Sequence, residues 1–216
     1  MSIAASDVKT LRDQTGAGMM ECKKALVETK GNLDAAVDLL RKKGLAAAAN
    51  KASRIASEGR VHAYIHPGSR LGVLVEVNCE TDFVAKNEEF QEMVRDLSMQ
   101  IAATNPKWVR REDVPQTVVD HELEIYREQV KVAGKPAQVA DKIAQGKLEK
   151  FYSENCLLEQ PFVKDDKVRI QDLLQAKIAK LGENMSVRRF TRWEVGEGLE
   201  KKKDDFAEEV AKMAGN

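Results

Sequence analysis

The sequence predicts an α+β protein, because helical patterns dominate the chain and its few strand-like segments are short and separated by helices. Apolar residues make up 43% of the chain and charged residues 32%, a balance typical of a soluble, helix-rich protein. We expect an N-terminal three-helix domain, a small antiparallel-sheet core with packed helices, a protruding antiparallel helical hairpin and a C-terminal helical module.

Residues 1–45 have the pattern of a compact three-helix domain. Apolar residues recur at helical spacing on both sides of the GAG turn at 16–18, and GNLD at 31–34 supplies a glycine stop followed by an asparagine N-cap. The third helix is expected to end at Gly44. The Ala-rich, basic stretch at 46–59 then has the composition of a linker helix.

Residues 60–111 are expected to form the first part of the core, a β-hairpin followed by a helix. The strand-like segments RVHAYIH (60–66) and RLGVLVEV (70–77) are joined by PGS, which predicts the hairpin. In the first segment apolar residues alternate with His62 and His66, so we expect the apolar set to be buried and both histidines to face outward.

Residues 112–156 predict an antiparallel coiled-coil hairpin. Apolar residues from Val119 to Ala133 alternate steps of four and three, which is the spacing of an a/d seam. GKP at 134–136 makes the turn, because Pro136 is placed to open the next helix.

The chain is expected to return to the core at residues 157–198, with a helix at about 167–181 and a strand at 186–195. Residues 199–216 complete the prediction as a C-terminal helical module, with a tail helix at 204–213.

Charge and cysteine content exclude several classes of protein. Lys and Arg number 35, as do Asp and Glu, so the zero net charge argues against a nucleic-acid coat or a membrane-surface anchor. Three cysteines lie far apart without a CxxC pair, which predicts neither a disulfide framework nor a zinc site. No basic n-region with an apolar stretch opens the sequence, and no run of about 18 apolar residues occurs, so we expect a cytoplasmic protein without membrane association.

No pattern predicts covalent chemistry, and we expect no catalytic residue, bound metal or cofactor. GAGMME at 16–21 and VGEGLEK at 195–201 both lack the remaining residues of a phosphate-binding loop. His62 and His66 would lie ~13 Å apart on a strand, too far to share a metal ion.

Basic clusters leave RNA binding as the alternative function, in an adaptor with an RNA-binding core. One cluster surrounds the linker, and another, RRFTRW at 188–193, interleaves arginines with Phe190 and Trp193. A strand with one solvated face, or a protein interface, is the more common setting for such residues, so we expect no direct nucleic-acid contact.

Five segments resemble the bacterial translation elongation factor Ts family, and they occur in the family's order along the whole chain. They are TGAGMMECKKAL (15–26), VNCETDFVAKNEEF (77–90), GKPAQVADKI (134–143), LEQPFV (158–163) and RRFTRWEVGEGLE (188–200). The resemblance implies a guanine-nucleotide exchange factor for elongation factor Tu in protein biosynthesis. It also implies that the N-terminal domain is similar to a ubiquitin-associated (UBA) domain.

Long members of this family carry two related core subdomains in one chain. Here a single hairpin-plus-helix unit is followed directly by the helical hairpin, as in the short form. The resemblance therefore implies a homodimer, and a three-stranded sheet with an uncovered apolar face is compatible with one.

The segment CETDFVAKN (79–87) permits two interpretations. If a helix starts near Asp82, Phe83 falls on the apolar stripe of that helix and belongs to the core. If Asn87 is instead the N-cap, TDFVAK is an exposed loop on a rigid frame, a common setting for binding residues. The resemblance favours the loop.

The resemblance also assigns site residues. Those implied to dislodge Mg²⁺ from elongation factor Tu are Thr81, Asp82, Phe83 and Val84. Those implied to bind this partner elsewhere are Leu11, Met19, Met20, Ala85, Lys86 and Asn87. From spacing alone we expect at least one of the two adjacent methionines to lie in the core of the bundle, although a thioether surface also suits helix recognition. We expect the hairpin at 115–155 and the tail at 204–213 to extend the contact.

Overall fold

The protein has an α+β architecture, described by a computed structural model for residues 3–134 and 136–200. Its α-helices in these ranges are α1 (Ala5–Thr15), α2 (Met19–Glu28), α3 (Leu33–Ala49), α4 (Asp82–Ala85), α5 (Glu88–Thr104), α6 (Gln116–Val132), α7 (Ala137–Asn155) and α8 (Ile170–Leu181). Its strands there are β1 (Glu58–Ile65), β2 (Leu71–Cys79), β3 (Pro161–Phe162), β4 (Asp165–Arg169) and β5 (Met185–Glu194). The predicted fold class is confirmed.

Helices α1 to α3 form the N-terminal bundle around a small apolar core. Its fully or nearly buried residues are Val8, Leu11, Cys22, Ala25, Leu26 and Ala36. Gly16 ends α1 in the left-handed region at φ 65°. The predicted N-cap is confirmed, because the Asn32 side chain accepts a hydrogen bond from the Ala35 backbone N–H at 3.0 Å.

The third helix does not end at Gly44, and the predicted linker helix is wrong over most of its length. Helix α3 continues through Gly44 to Ala49, and the chain between it and Glu58 forms turns and irregular backbone. The alanine run favours helix, and a Cβ placed at Gly44 would lie 3.5 Å from the Ala179 Cβ of α8. This glycine therefore lies where α3 packs closely on α8.

The core sheet has three antiparallel strands in the order β1-β2-β5, so the predicted hairpin is confirmed and β2 is central. A β-bulge between Glu76 and Val77 shifts the β2–β5 register. The inner face of the sheet packs against α5, mainly through β1 and β2, and against α8 through β5. Buried residues of this core include Val75, Val77, Phe90, Val94, Leu97, Ile101, Ile170, Leu174 and Ile178.

Strand β1 is turned the opposite way from the prediction. Val61 and Ile65 are 60% and 61% exposed, whereas His62 and Tyr64 are half-buried on the inner side. Directly paired residues share a face, and Val61 pairs with Glu76 and Ile65 with Gly72. Because the valines of β2 fill the core, its alternate positions and their β1 partners must face outward.

The result is an apolar outer face on the sheet. Its exposed large apolar residues are Val61, Ile65, Leu74 and Trp193, and we call this set the outer sheet face. Trp193 pairs with Gly72, which in turn pairs with Ile65, so these two large side chains flank a glycine on one row.

Helices α6 and α7 form the predicted antiparallel hairpin. Its seam contains the buried residues Val119, Val130, Ala140, Ala144 and Leu148. At its base the Arg111 guanidinium lies 4.8 Å above the Tyr152 ring and donates to Glu159 at 2.6 Å and to Glu149 at 3.0 Å. These bonds attach the hairpin to the segment that leads back to the core.

The last part of the chain follows the prediction with one change. Helix α8 begins at Ile170 instead of about 167, because 165–169 pair with β3 as a short strand. It ends at Gly182 as expected, in the left-handed region at φ 80°. The predicted tail helix at 204–213 lies outside the described residues. Across the described ranges, every helix is too short or too polar to cross a membrane.

Candidate functional site

The TDFV segment is a one-turn helix, α4, where the sequence predicted either a loop or the start of a long helix. Thr81 is its N-cap and accepts a hydrogen bond from the Val84 backbone N–H at 3.4 Å. Asn87 is extended at ψ 137° and caps the separate helix α5 by accepting from the Glu89 N–H at 2.8 Å. The predicted N-cap at Asn87 is therefore confirmed, and the loop before it is helical.

Phe83 lies on the surface, which excludes the core interpretation. Its ring is 81% exposed, whereas Val84 and Ala85 are partly buried and pack against the main core. Consecutive helical residues point about 100° apart, so one turn can anchor itself through two side chains and present a third to solvent. The site thus has an unburied aromatic ring on a helix fixed by its neighbours.

Charged groups flank this ring. The Lys86 Nζ donates to the Asp82 carboxylate at 2.6 Å, and both side chains are largely exposed. This hydrogen bond holds the pKa of Asp82 below its usual range, so the carboxylate is ionised at neutral pH. Beside Phe83 the surface therefore carries a negative and a positive charge.

The end of β2 is held from inside the core. The buried Cys79 thiol donates to the Thr81 carbonyl at 3.1 Å, and burial raises the pKa of this thiol to about 11. The thiol is therefore protonated and able to donate at neutral pH. The Glu183 carboxylate, from the loop after α8, accepts bonds from the same segment. Nothing in the sequence indicated this contact, because Glu183 lies 102 residues from Thr81.

Met19 and Met20 are both exposed, at 56% and 65%, so the expectation that one of them lies in the core is wrong. They occupy the first turn of α2, just after Gly18. Val27, seven residues after Met20 and therefore on the same helix face, is also exposed at 58%. Helix α2 thus presents apolar surface along one side.

Leu11 does not fit its predicted contact with a partner. It has no exposed surface and packs among the buried residues of the bundle. A side chain at i+3 from Val8 on a short amphipathic helix belongs to the core-facing stripe, and the small bundle needs this stripe to fold. We therefore assign Leu11 to the support of α2.

Helix α8 lies beside residues that adjoin both candidate regions. Lys180 pairs with Glu89, in the first turn of α5, at 2.7 Å, and this bond is the first cause of a lowered pKa at Glu89. The same lysine side chain lies 3.6 Å from the position that a Cβ on Gly16 would occupy, three residues before Met19. A third link is the ion pair between Arg41 of α3 and Asp172 of α8 at 2.9 Å.

Residues 3–134 and 136–200 contain no group of three or more His, Cys, Asp or Glu side chains placed to hold a metal ion. His62 is half-buried, and burial together with Arg60 and Arg95 lowers its pKa. His66 is exposed and its ring bonds to the Tyr64 hydroxyl at 2.9 Å.

The basic cluster of β5 is paired within the protein. Arg188 and Arg189 donate to Glu76 at 2.9 and 2.7 Å, and Arg192 donates to Glu194 at 2.9 Å. These two carboxylates offset two of the three positive charges, which lowers the attraction of the cluster for a phosphate backbone. The geometry therefore does not favour the RNA-binding alternative.

Comparison with known proteins gives a consistent result. A family model described as "Elongation factor TS" matches residues 3–197. Proteins named Elongation factor Ts from Alkaliphilus oremlandii and Carboxydothermus hydrogenoformans are each 60% identical, over 100% and 97% of this chain and 100% and 96% of their own. The protein of that name from Moorella thermoacetica is 62% identical, over 91% of this chain and 97% of its own.

Proposed function

This chain belongs to the elongation factor Ts family, and on that basis we propose that it is a cytoplasmic guanine-nucleotide exchange factor for elongation factor Tu. It binds elongation factor Tu·GDP, displaces Mg²⁺ and promotes release of GDP during the elongation cycle. No bond is made or broken in this process, so the protein needs no catalytic group. The observation that carries the mechanism is the exposed Phe83 ring on the anchored helix α4.

Phe83 supplies part of the required free energy. Burying a phenylalanine side chain contributes ~1.5–3 kcal/mol, and the ring is 81% exposed, so most of this is gained only on contact with the partner. Placed between side chains of the partner near its nucleotide site, the ring separates groups that hold Mg²⁺ in position. Because Mg²⁺ and the phosphates of GDP stabilise one another, loss of the ion weakens nucleotide binding.

One ring is not sufficient for the whole effect. Weakening GDP binding by ~10⁴ requires about 5.5 kcal/mol of differential affinity, roughly twice what Phe83 can supply. The rest comes from wider contacts, to which Met19 and Met20 contribute exposed apolar surface at a second place. Asp82 adds an ionised carboxylate that competes with the partner's own groups for the cation or for hydrogen bonds.

Coupling between the two ligands is reciprocal. If the factor weakens GDP binding by a given factor, GDP weakens binding of the factor by the same amount. A complex of this protein with elongation factor Tu is therefore stable without nucleotide and dissociates when GDP is added.

We also propose that the protein acts as a homodimer, with the outer sheet face covered in the dimer. Val61, Ile65 and Trp193 are each about 60% exposed on this face, and large exposed apolar patches are characteristic of interfaces. A three-stranded sheet also leaves two unpaired strand edges, which a second copy can cover.

The direct test is the release of fluorescent GDP from elongation factor Tu. We expect the wild-type protein to accelerate release and Phe83→Ala to reduce the acceleration by about 10- to 100-fold, the equivalent of ~1.5–3 kcal/mol. The variant should keep its thermal unfolding temperature, because the ring is 81% exposed. Ile55→Ala, which truncates an 86% exposed side chain outside α4 and outside the segments predicted to bind elongation factor Tu, is the matched control and should behave as wild type.

Two results would contradict the proposal at different levels. If the wild-type protein leaves GDP release unchanged, the exchange function is wrong. If it accelerates release and Phe83→Ala is equally active, the exchange function stands and the role given to the ring is wrong.

A further inference from the structure

We propose that Glu183 is a positioning residue for exchange, which holds the end of β2 and the first turn of α4 so that Phe83 points at the partner. This inference rests on the proposed function, since Phe83 is the group that Glu183 positions. Glu183 lies outside α4 and β2, in the loop between α8 and β5.

Three hydrogen bonds connect this carboxylate to the base of α4. Its Oε2 accepts from the backbone N–H of Glu80 at 3.1 Å and of Thr81 at 3.0 Å. Its Oε1 accepts from the Thr81 hydroxyl at 2.6 Å. Hydrogen bonds to an ionised acceptor are stronger than those between neutral groups, and these are partly buried.

The bond to the hydroxyl also sets the cap of α4. Because the Thr81 hydroxyl hydrogen points to Glu183, the oxygen is left with a lone pair for the Val84 N–H, which it contacts at 3.4 Å. A helix of four residues is not stable alone, so its position depends on such tertiary contacts.

The end of β2 also binds the loop that contains Glu183. The Glu80 carboxylate accepts from the Asn184 backbone N–H at 2.6 Å, and the Asn184 side chain donates to the Arg54 carbonyl at 2.7 Å. Each of the two segments thus offers a carboxylate to the backbone of the other. Paired bonds of this kind fix the rotation of α4 as well as its location.

The internal ion pair of α4 cannot replace these contacts. Lys86 and Asp82 are four residues apart and their side chains are 76% and 50% exposed, so water and salt screen the pair. Glu183 instead binds backbone groups that precede the helix, where a small rotation is carried through to the Phe83 ring.

The test is a double-mutant cycle on the fluorescent-GDP assay at saturating factor. We expect Glu183→Ala to lower the maximal release rate by about 5- to 10-fold, within the usual range of coupling between contacting residues. The double variant Glu183→Ala with Phe83→Ala should be no slower than Phe83→Ala alone, because Glu183 acts through the ring. Glu183→Gln should retain most of the rate, since its amide oxygen can accept both backbone bonds.

The matched control is Glu92→Ala, which removes an exposed glutamate on α5 and should leave the rate unchanged. If the losses of Glu183→Ala and Phe83→Ala multiply in the double variant, or if Glu183→Ala is fully active, the proposal is wrong. If Glu183→Ala does not fold, Glu183→Asp, which withdraws the carboxylate by one methylene from the Thr81 hydroxyl and N–H, must show the same non-additive loss, and a multiplicative loss would overturn the proposal.

A second measurement does not depend on elongation factor Tu. Glu183→Ala should raise the hydrogen-exchange rates of the Thr81 and Val84 amides by about tenfold or more, while core amides such as Val94 keep their protection. Unchanged exchange at these two amides would overturn the positioning role. If the proposed exchange function itself is wrong, the wild-type protein will not accelerate GDP release.

Discussion

Single residues decide the character of this site, because neighbours in the sequence have opposite surroundings. Phe83 is 81% exposed, whereas Val84 packs against the core. The sequence could predict the cap at Asn87, since an asparagine before two acidic residues is a local signal. It could not predict which side of α4 faces the core, because contacts with Glu183, far along the chain, fix the rotation of the helix.

A second residue-scale prediction concerns the methionines of α2. We expect Met19→Ala with Met20→Ala to bind elongation factor Tu more weakly, so that GDP release is slower mainly at low factor concentration and recovers at saturation. Both side chains are more than half exposed, so the unfolding temperature should not change. The measurement is the release rate as a function of factor concentration.

Leu11→Ala provides the contrast for this experiment. Leu11 is fully buried, and its truncation should destabilise the chain by about 2–5 kcal/mol in denaturant unfolding.

If Met19→Ala with Met20→Ala lowers the saturating rate and leaves the concentration dependence unchanged, these methionines do not act as a binding surface.

At the scale of elements, the sequence correctly predicted the helices and strands whose apolar pattern is compatible with a single arrangement. The α6–α7 hairpin has a regular seam, and its buried residues follow it. Strand β1 alternates apolar residues with His62 and Tyr64, and either face could be buried on propensity alone. Pairing with β2 determines which face of β1 is buried. Each β1 residue shares a face with its β2 partner, and the valines of β2 fill the core. The end of α3 was mispredicted because Gly44 lies inside the helix against α8.

Gly44→Ala should therefore stabilise the protein. A glycine inside a helix costs about 0.5–1 kcal/mol relative to alanine, and the new methyl group would meet the Ala179 Cβ at 3.5 Å, an ordinary contact distance. The free energy of unfolding, from urea titration at unchanged m-value, should rise by about this amount. Gly146→Ala on α7, where a Cβ would meet no atom within 4 Å, is the matched control and should give a similar gain.

The two variants separate helix propensity from packing. If Gly146→Ala stabilises the protein and Gly44→Ala destabilises it, then α3 and α8 are too close for a methyl group.

At the scale of the whole molecule, the outer sheet face is an exposed apolar surface within the described residues, where Val61, Ile65 and Trp193 are each about 60% exposed. The family resemblance implied a dimer, and a three-stranded sheet with an uncovered apolar face was compatible with one. The alternation in β1, however, predicted that Val61 and Ile65 would be buried. Their exposure on the outside supports the proposed homodimer.

Ile65→Lys should convert the dimer to a monomer. Ile65 is 61% exposed in the single chain, so a lysine there leaves the fold intact but places a charge in the proposed interface. Light scattering at micromolar concentration should give twice the mass of one chain for wild type and a single mass for the variant. Ile55→Lys, on an 86% exposed side chain outside the sheet, should remain dimeric. A wild-type monomer, or a dimeric Ile65→Lys protein, would contradict this interface.

The position of Lys180, between the turn at Gly16 and the first turn of α5, has a consequence for affinity. If a flexible linker joined the two contact sites, around Met19 and around Phe83, each site would lose orientational entropy separately on binding. Because α8 contacts residues beside both sites, binding at one site also orients the other. The second contact therefore forms at a high effective concentration. Weak binding through the methionines is then sufficient to place Phe83 at the nucleotide site of the partner.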